Sequence, residues 1–592
     1  MRTEFHLVFI SAKILAFSFL IISPVNSQDP EQSIMDVNNI TSWVRNDGFH
    51  DWLIRIPSNK EGWNGLFPKG SAGTIFCEGL LWGGKVFDKN PVLIRAGGSE
   101  YKSANVPITR LFRVMPFFRE AGLTNDASNF FNVPERLVTD SMINQLNAQY
   151  EKDWNEWPAE RGAPYYDINK NGKYEPYIDI PGIPGASQTI WINYNDSRSD
   201  NLYQCPPIGL EIQETYWAYA GSSNYGINSE FMNVIFKHAK IIYKGSHYST
   251  PDSYIDSMYL NQWVDQELGN PADDLLGCDT LLNMGYAYNA RDFDNIYNEF
   301  LSAPPAVGTI FLQGTAHWTG NPLDSAVVNF KWRRGYKYFH EKPLTVFIAF
   351  KIGDTWGDPE YNYFGGLELY NYMRGYFPYP PYPESQTKYN QFGIEFGGYG
   401  TYMNSGDPIT GSGWVDGISD PPGPRHMYMI NGPLSLKQGD TVEIVLATVG
   451  GLGTNHLNSI TDLRYRARQA AYLYELFVRQ MTDDNLNPEI PKRNILEDYV
   501  LHQNYPNPFN SSTFIKYELP EPALVKLVVY DMLGSVVKVL VNENKGAGQY
   551  RVEFNPSGLA SGVYIYRITF ENSSSRLVND GLTKTSKLLF IK

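Results

Sequence analysis

The sequence predicts a mainly β protein, with a large sandwich-like body containing a few helices and a smaller all-β module after it. Three observations predict this. The 592 residues include 41 tyrosines and 13 tryptophans, side chains that suit pleated, half-buried surfaces. The 51 glycines and 38 prolines supply many turns. Short runs of alternating apolar residues recur along the chain and dominate residues 501–592. A chain of this length holds several domains. Its net charge of −14 suits an acidic, soluble surface and leaves no footprint for nucleic acid or an anionic membrane.

The chain opens with an export signal at residues 1–27. Arg2 and Lys13 carry positive charge, and Ile14 to Ile22 is apolar apart from Ser18. Val25 and Ser27 are the small residues before a cleavage point at Gln28. The run is short for a membrane span of about twenty residues, and no later segment is apolar for longer. The signal implies passage through the general secretion machinery. Export would permit one disulfide among Cys77, Cys205 and Cys278. Cys77 follows an apolar run and reads as a buried, inert thiol; Cys205 and Cys278 flank acidic loops and are the candidates for a bridge.

The N-terminal part of the body, 28–160, mixes strands with a helix. Strand-like runs with tight turns lie at 74–76, 80–86 and 92–94. A helix is expected over 134–154, with Pro134 in its first turn and Leu137, Met142, Ile143, Leu146 and Tyr150 at helical spacing. The β-rich main body, 161–480, has strand-like runs at 231–236, 344–350 and 441–447. Its proline-rich stretch at 376–383 reads as an extended surface segment. His238 and His247, beside strand-like runs, read as edge or surface residues. A helix capped by Ser459, with Asp462 three residues on, carries Ile460, Leu463, Ala467, Ala470, Tyr474 and Phe477 on one face. Arg464, Arg466 and Arg468 fall largely off that face and read as solvated. Residues 481–500, polar and holding Pro488 and Pro491, form a linker.

The sharpest chemical motif is Asp167-Ile168-Asn169-Lys170-Asn171-Gly172-Lys173-Tyr174-Glu175. Oxygen-bearing side chains at positions one, three and five aim at a hard cation, and glycine at six permits the turn around it. Lys173 would offer its carbonyl at position seven. Ile178 stands where an EF-hand has its bidentate glutamate, so Asp179 is the closing ligand, helped by Glu175. The expected ion is structural calcium; the bland alternative is an Asn/Gly turn with no metal. A second acidic set, Asp265, Glu267, Asp273, Asp274 and Asp279, reads as a solvated loop, a further cation site or a pair of catalytic carboxylates. HExxH, GxSxG and P-loop patterns do not occur.

Residues 501–592 alternate well enough to place strands at 513–519, 524–530, 535–541, 549–554, 563–569 and 586–591. Val525, Leu527 and Val529 share one face, as do Tyr550, Val552 and Phe554. The module opens Gln503-Asn504-Tyr505-Pro506-Asn507-Pro508-Phe509-Asn510. It continues through Val529-Tyr530-Asp531 with Gly534, Gly546-Ala547-Gly548 with Tyr550, Ser557 to Gly562-Val563-Tyr564, and the closing Lys587-Leu588-Leu589. These motifs, in this order, resemble the type A C-terminal sorting domain of the type IX secretion system. The resemblance implies an immunoglobulin-like β-sandwich that carries a folded cargo from periplasm through the type IX translocon. It further implies removal by a surface sortase, with release of the cargo or attachment to surface lipopolysaccharide. The protein would then lie outside a Gram-negative cell or on its outer-membrane surface.

The body is similar to large secreted surface proteins of unassigned activity. The segments that carry this are Gly79 to Lys85, the Asp167 loop through Trp191, Asp273 to Asp279, and Gly406-Asp407-Pro408 with Gly413 to Asp416. The expected role is therefore structural, adhesive or binding. The alternative is a secreted carboxylate-dependent hydrolase acting on polysaccharide.

Overall fold

The computed structural model describes residues 30–52, 65–116, 122–131, 133–198, 202–220, 229–301, 303–351, 357–378, 401–418, 420–480, 499–519, 523–545, 548–571 and 582–591. The export signal, the linker up to residue 498 and the proline-rich stretch beyond 378 lie outside the described residues. The strands of the body form two large antiparallel sheets. The strands used below are β1 (Gly73–Phe87), β2 (Ile94–Glu100), β3 (Gln188–Asn195), β4 (Leu210–Ala218), β5 (Val234–Tyr243) and β6 (Tyr254–Gln266). They continue with β7 (Asp274–Asp279), β8 (Met284–Asn289), β9 (Ala306–Gln313), β10 (Val346–Lys351), β11 (Arg425–Lys437) and β12 (Thr441–Gly451). The first sheet runs β7-β8-β9-β12-β5-β4-β3, and the second runs β10-β11-β6-β1-β2. Residues 73–100 thus pair within a sheet that also takes long strands from 254–437.

Side-chain alternation explains how one strand serves two layers. Along β12, Ile444 and Leu446 enter the core shared by the two sheets, with Ile192, Ile212, Leu260 and Met429. Val445 and Ala447 point the other way, into a second core against a long helix. A strand buried on both faces reads as a continuous apolar run, and 444–447 does so. The runs at 74–76 and 80–86 prove to be one fifteen-residue strand, β1, and the third run begins its strand at Ile94. Gly83 and Gly84 lie inside the ladder, opposite Ala96 and Arg95. A Cβ on Gly84 would come within 2.8 Å of Ile255 Cγ2, so glycine there permits close approach. The run at 231–236 is split: residues 229–233 form a 3₁₀ turn and β5 begins at Val234.

The described helices are α1 (Thr124–Phe131), α2 (Asp140–Asn155), α3 (Tyr363–Met373) and α4 (His456–Gln480). Among the described residues, none is long and apolar enough to cross a membrane. The expected helix at 134–154 starts later, at Asp140, where the Thr139 side chain accepts from Met142 N–H; Leu137 sits in a separate turn and is exposed. The apolar face of α4 is buried as expected, against the outer face of the first sheet. Ser459 is not its cap, because the helix begins three residues earlier; its buried Oγ instead donates to Pro304 O at 2.8 Å. Arg464 is not solvated either: it pairs with Asp279 and Asp407 at 3.1 and 2.9 Å. His238 is buried on β5, its ring against Phe330. The three cysteines are buried and none is in a disulfide, so Cys205 and Cys278 are not bridged.

Charged groups are also built into the body. Arg95 meets Asp88 at 2.6 Å with both side chains fully buried, and donates further to Pro207 O at 3.0 Å. Asp88→Ala would strand this guanidinium without its counter-charge. We expect a loss of about 3–5 kcal/mol in urea unfolding; a loss below 1 kcal/mol would show that the carbonyls alone suffice.

The C-terminal module has its own core. Its strands are β13 (Thr513–Leu519), β14 (Ala523–Tyr530), β15 (Val536–Lys545), β16 (Gly548–Phe554), β17 (Gly562–Glu571) and β18 (Leu582–Phe590). A sheet of β13 and β16, edged by Val500–Leu501, accompanies a four-stranded sheet β15-β14-β17-β18. Val525, Leu527, Val529 and Phe554 are all fully buried, with Ile515, Tyr566 and Phe590 among their partners.

Candidate functional site

The loop from Asp167 to Asp179 is held beside α2: Tyr174 donates its hydroxyl to Trp154 O at 2.6 Å, and Trp154 Nε1 donates to Pro176 O at 2.8 Å. Gly172 takes a left-handed φ of +76°, as the turn requires. Asp167 accepts from the N–H groups of Asn171 and Gly172 at 3.2 and 2.7 Å. The oxygens of Asn169 and Asn171 accept from Asn171 and Lys173 N–H, and both side-chain amides donate to one Glu175 oxygen, at 2.7 and 2.5 Å. Asp179 turns inward and is buried, accepting from Ile168 and Glu175 N–H at 3.0 and 2.8 Å, whereas Ile178 is exposed. Asp167, Asn169, Asn171, Glu175 and Asp179 thus belong to one hydrogen-bonded loop. Among the described residues, no group of three or more His, Cys, Asp or Glu is arranged to hold a metal.

The second acidic set is divided among three groups of partners. Asp279, at the end of β7, accepts from Leu281 and Leu282 N–H and pairs with Arg464 on α4. Asp273 is held by Arg291 and Asn289, each at 3.0 Å. Asp274 accepts from Leu268 N–H at 3.0 Å, and burial pushes its carboxyl well above the usual range. Asp265, at the end of β6, lies in a different cluster. It faces His426 of β11 at 3.3 Å and accepts from Tyr101 at 3.1 Å. Nearby Glu267 is pushed up to about 7, by burial and then by Asp265.

That cluster contains the residues sequence reasoning missed. The His426 ring sits between Asp265 and Asp358, with Nδ1 2.9 Å from Asp358, and Tyr101 Oη lies 2.5 Å from Nε2. Burial works against its charge, but the two aspartates prevail and hold the ring as an imidazolium up to about 10. Beside it, fully buried Glu100 accepts from the hydroxyls of Tyr203 and Tyr428 at 2.7 and 2.6 Å. Burial, with Asp358 adding to it, pushes Glu100 up to about 8, so the acid is protonated at neutral pH. Chemically the cluster offers a protonated carboxyl and a cationic ring, but His426, Glu100 and Asp265 are all sealed in the core. No spacing in the sequence signals it, because its members come from five separate segments.

In the C-terminal module the opening motif is structural. Asn504 is buried; its N–H donates to Tyr566 Oη at 2.9 Å and its amide to Thr513 Oγ1 and Pro506 O. Asn507 Oδ1 accepts from Leu589 N–H at 2.8 Å, and Phe509 packs on Phe590 at 5.4 Å. The carbonyl of Lys587 accepts from Gln503 at 2.6 Å. The motif therefore fastens the start of the module to its last strand, while Tyr505 is exposed. Gly534 takes a φ of +84° in the turn after β14, and Gly562 opens β17.

A sequence model of the secretion system C-terminal sorting domain matches residues 503–578. No curated protein matches the chain. Among solved structures, a polysaccharide lyase is 7% identical with a TM-score of 0.19 over 65% of this chain and 34% of its own. The dimeric latent PorU of Porphyromonas gingivalis is also 7% identical, with a TM-score of 0.13 over 95% of this chain and 32% of its own. The chain thus spans about a third of the length of each.

Proposed function

We propose that this chain, which carries a type IX secretion C-terminal sorting domain and is exported to the surface or exterior of a Gram-negative bacterium, is a non-enzymatic binding or adhesive protein whose body is stiffened by calcium. The observation that carries the calcium reading is the inward turn of Asp179 beside Asp167, Asn169, Asn171 and Glu175. Rotation of the two asparagine amides would present oxygen in place of nitrogen toward Glu175, giving five side-chain donors of the hard type calcium takes. Lys173 would add its carbonyl. With two neutral amides among the donors, the affinity suits extracellular calcium, roughly 10⁻⁴–10⁻³ M. Delivery uses the translocon and surface sortase, with surface lipopolysaccharide as the proposed attachment point.

One observation favours a second reading, a hydrolase acting on polysaccharide. Glu267 is only half-buried and is held near 7 beside Asp265, as a general acid would be. Incubating the secreted protein with a panel of polysaccharides separates the two. The binding reading expects retention of the polymer with no new reducing ends; reducing ends that vanish in Glu267→Gln would overturn it.

A further inference from the structure

The body holds a cleft of about 680 Å³ away from the acidic set and the Asp167 loop. Its walls come from β6, β11, β12 and a hairpin of Ala316–Trp318 with Tyr336–Tyr338. Trp318 is 64% exposed and packs edge-on against Tyr336 at 5.1 Å. Its inner side lies over Gly335, where a Cβ would sit 2.3 Å from the indole at a φ of +80°. Only glycine allows the indole to lie flat there, so the ring is backed by the chain before any ligand arrives. Elsewhere in the lining, Tyr254 is 42% exposed and stacks on Phe87 at 4.5 Å with 9° between the rings. His317 is pinned against Phe339 at 4.3 Å, and among the described residues its buried Nδ1 has no hydrogen-bond partner.

We infer that this cleft binds a neutral polysaccharide, its sugar rings stacking on Trp318 and Tyr254. The inference names the ligand for the binding role proposed above and rests on that reading. Aromatic faces carry negative charge density and attract the C–H faces of sugar rings. The polar lining is of mixed sign: Lys437 accompanies Asp440 and Glu443. Glu443 is committed, accepting from Asn329 N–H at 2.7 Å and facing His238 at 3.5 Å. Burial opposes its charge, but His238 and this N–H hold it below the usual range. No excess of one sign remains to select an acidic polymer, and hydroxyl groups suit donors and acceptors of both kinds. The volume accommodates a short oligosaccharide.

Affinity electrophoresis of the whole secreted protein would test this, with laminarin and xylan as neutral polymers and alginate and polygalacturonate as acidic ones. Retardation by at least one neutral polymer is expected, weakened about tenfold in Trp318→Ala and again in Tyr254→Ala. Phe293→Ala, at a remote exposed ring, should change nothing. Both cleft residues are solvent-facing, so melting curves should stay close to wild type. Unchanged neutral-polymer binding in both cleft variants would overturn the cleft while leaving a binding role intact, as would retardation by acidic polymers alone. Retardation by none of the four would overturn the ligand class. Trp318-dependent binding accompanied by released reducing ends would support the cleft and overturn the non-enzymatic reading.

Discussion

Between pH 5 and pH 8 the Glu100 carboxyl is expected to take roughly 4 kcal/mol from the unfolding free energy of the body, at about 1.36 kcal/mol per pH unit of displacement, and Glu100→Gln to remove that share of the wild-type loss. The native state holds a proton on Glu100 up to about 8, whereas the unfolded chain releases it near 4.5. Over that interval the folded state binds more protons, so stability falls as pH rises. His426 acts in the same direction later: its raised pKa adds stability that is complete below 6.5 and is lost as pH climbs through about 10. Glu214 sets the acid limit. Burial opposes its charge, but Lys237 and His50 outweigh that and lower it to about 2, so its contribution is present above 4.5 and lost as pH falls toward 2. Glutamine preserves the shape of Glu100 and keeps an acceptor for one tyrosine hydroxyl, so the variant should be the more stable protein at pH 8. Urea unfolding at the two pH values reads this, and equal slopes for wild type and variant would show that Glu100 is not the titrating group.

Removal of residues 501–592 is expected to abolish surface delivery while leaving a folded body in the periplasm. The packing supports both halves of that expectation. Among the described residues, the body's two principal cores run no further than Val478 and the module's core starts at Tyr499, so each has a core of its own. Immunodetection on intact and permeabilised cells reads the outcome. The truncated protein should be seen only after permeabilisation, in protease-resistant form; surface signal at the wild-type level would contradict the sorting role.

How legible these features are in the sequence follows from how each is buried. In the module, Val525, Leu527 and Val529 face one core while Lys526 faces solvent, so alternation places β14 to within a residue. The face of α4 is equally readable, because Ile460, Leu463, Ala467 and Phe477 recur at the helical period. Its first turn is not: Ser459 resembles a cap, but it points into the core at Pro304 and the helix starts before it. β1 is legible only in part: its local sequence reads as two runs, 74–76 and 80–86, where the ladder holds one strand, with Gly84 close against Ile255 and Met258. The His426 cluster could not be read at all. Tyr101 and Asp265 are 164 positions apart and Tyr101 and His426 are 325 apart, and only the stacking of β11 beside β6 brings them together. The cleft is half-legible: Trp318 and Tyr336 share a hairpin, but Tyr254 and Lys437 arrive from remote strands.

Calcium titration of the secreted protein tests the proposed role of its body most directly. An ion bound with a Kd near 10⁻⁴ M and supplied at about a hundredfold excess adds roughly 2.7 kcal/mol, or a rise in melting temperature of about 3–6 °C at most for a body of this size. That rise, with slower proteolysis, is expected in wild type and should vanish in Asp167→Ala and Asp179→Ala. Asp179 also holds Ile168 and Glu175 N–H, so the readout is the calcium-dependent difference within each variant and not its absolute stability. A wild-type melting curve and cleavage rate that do not move with calcium would contradict the calcium-stabilised body.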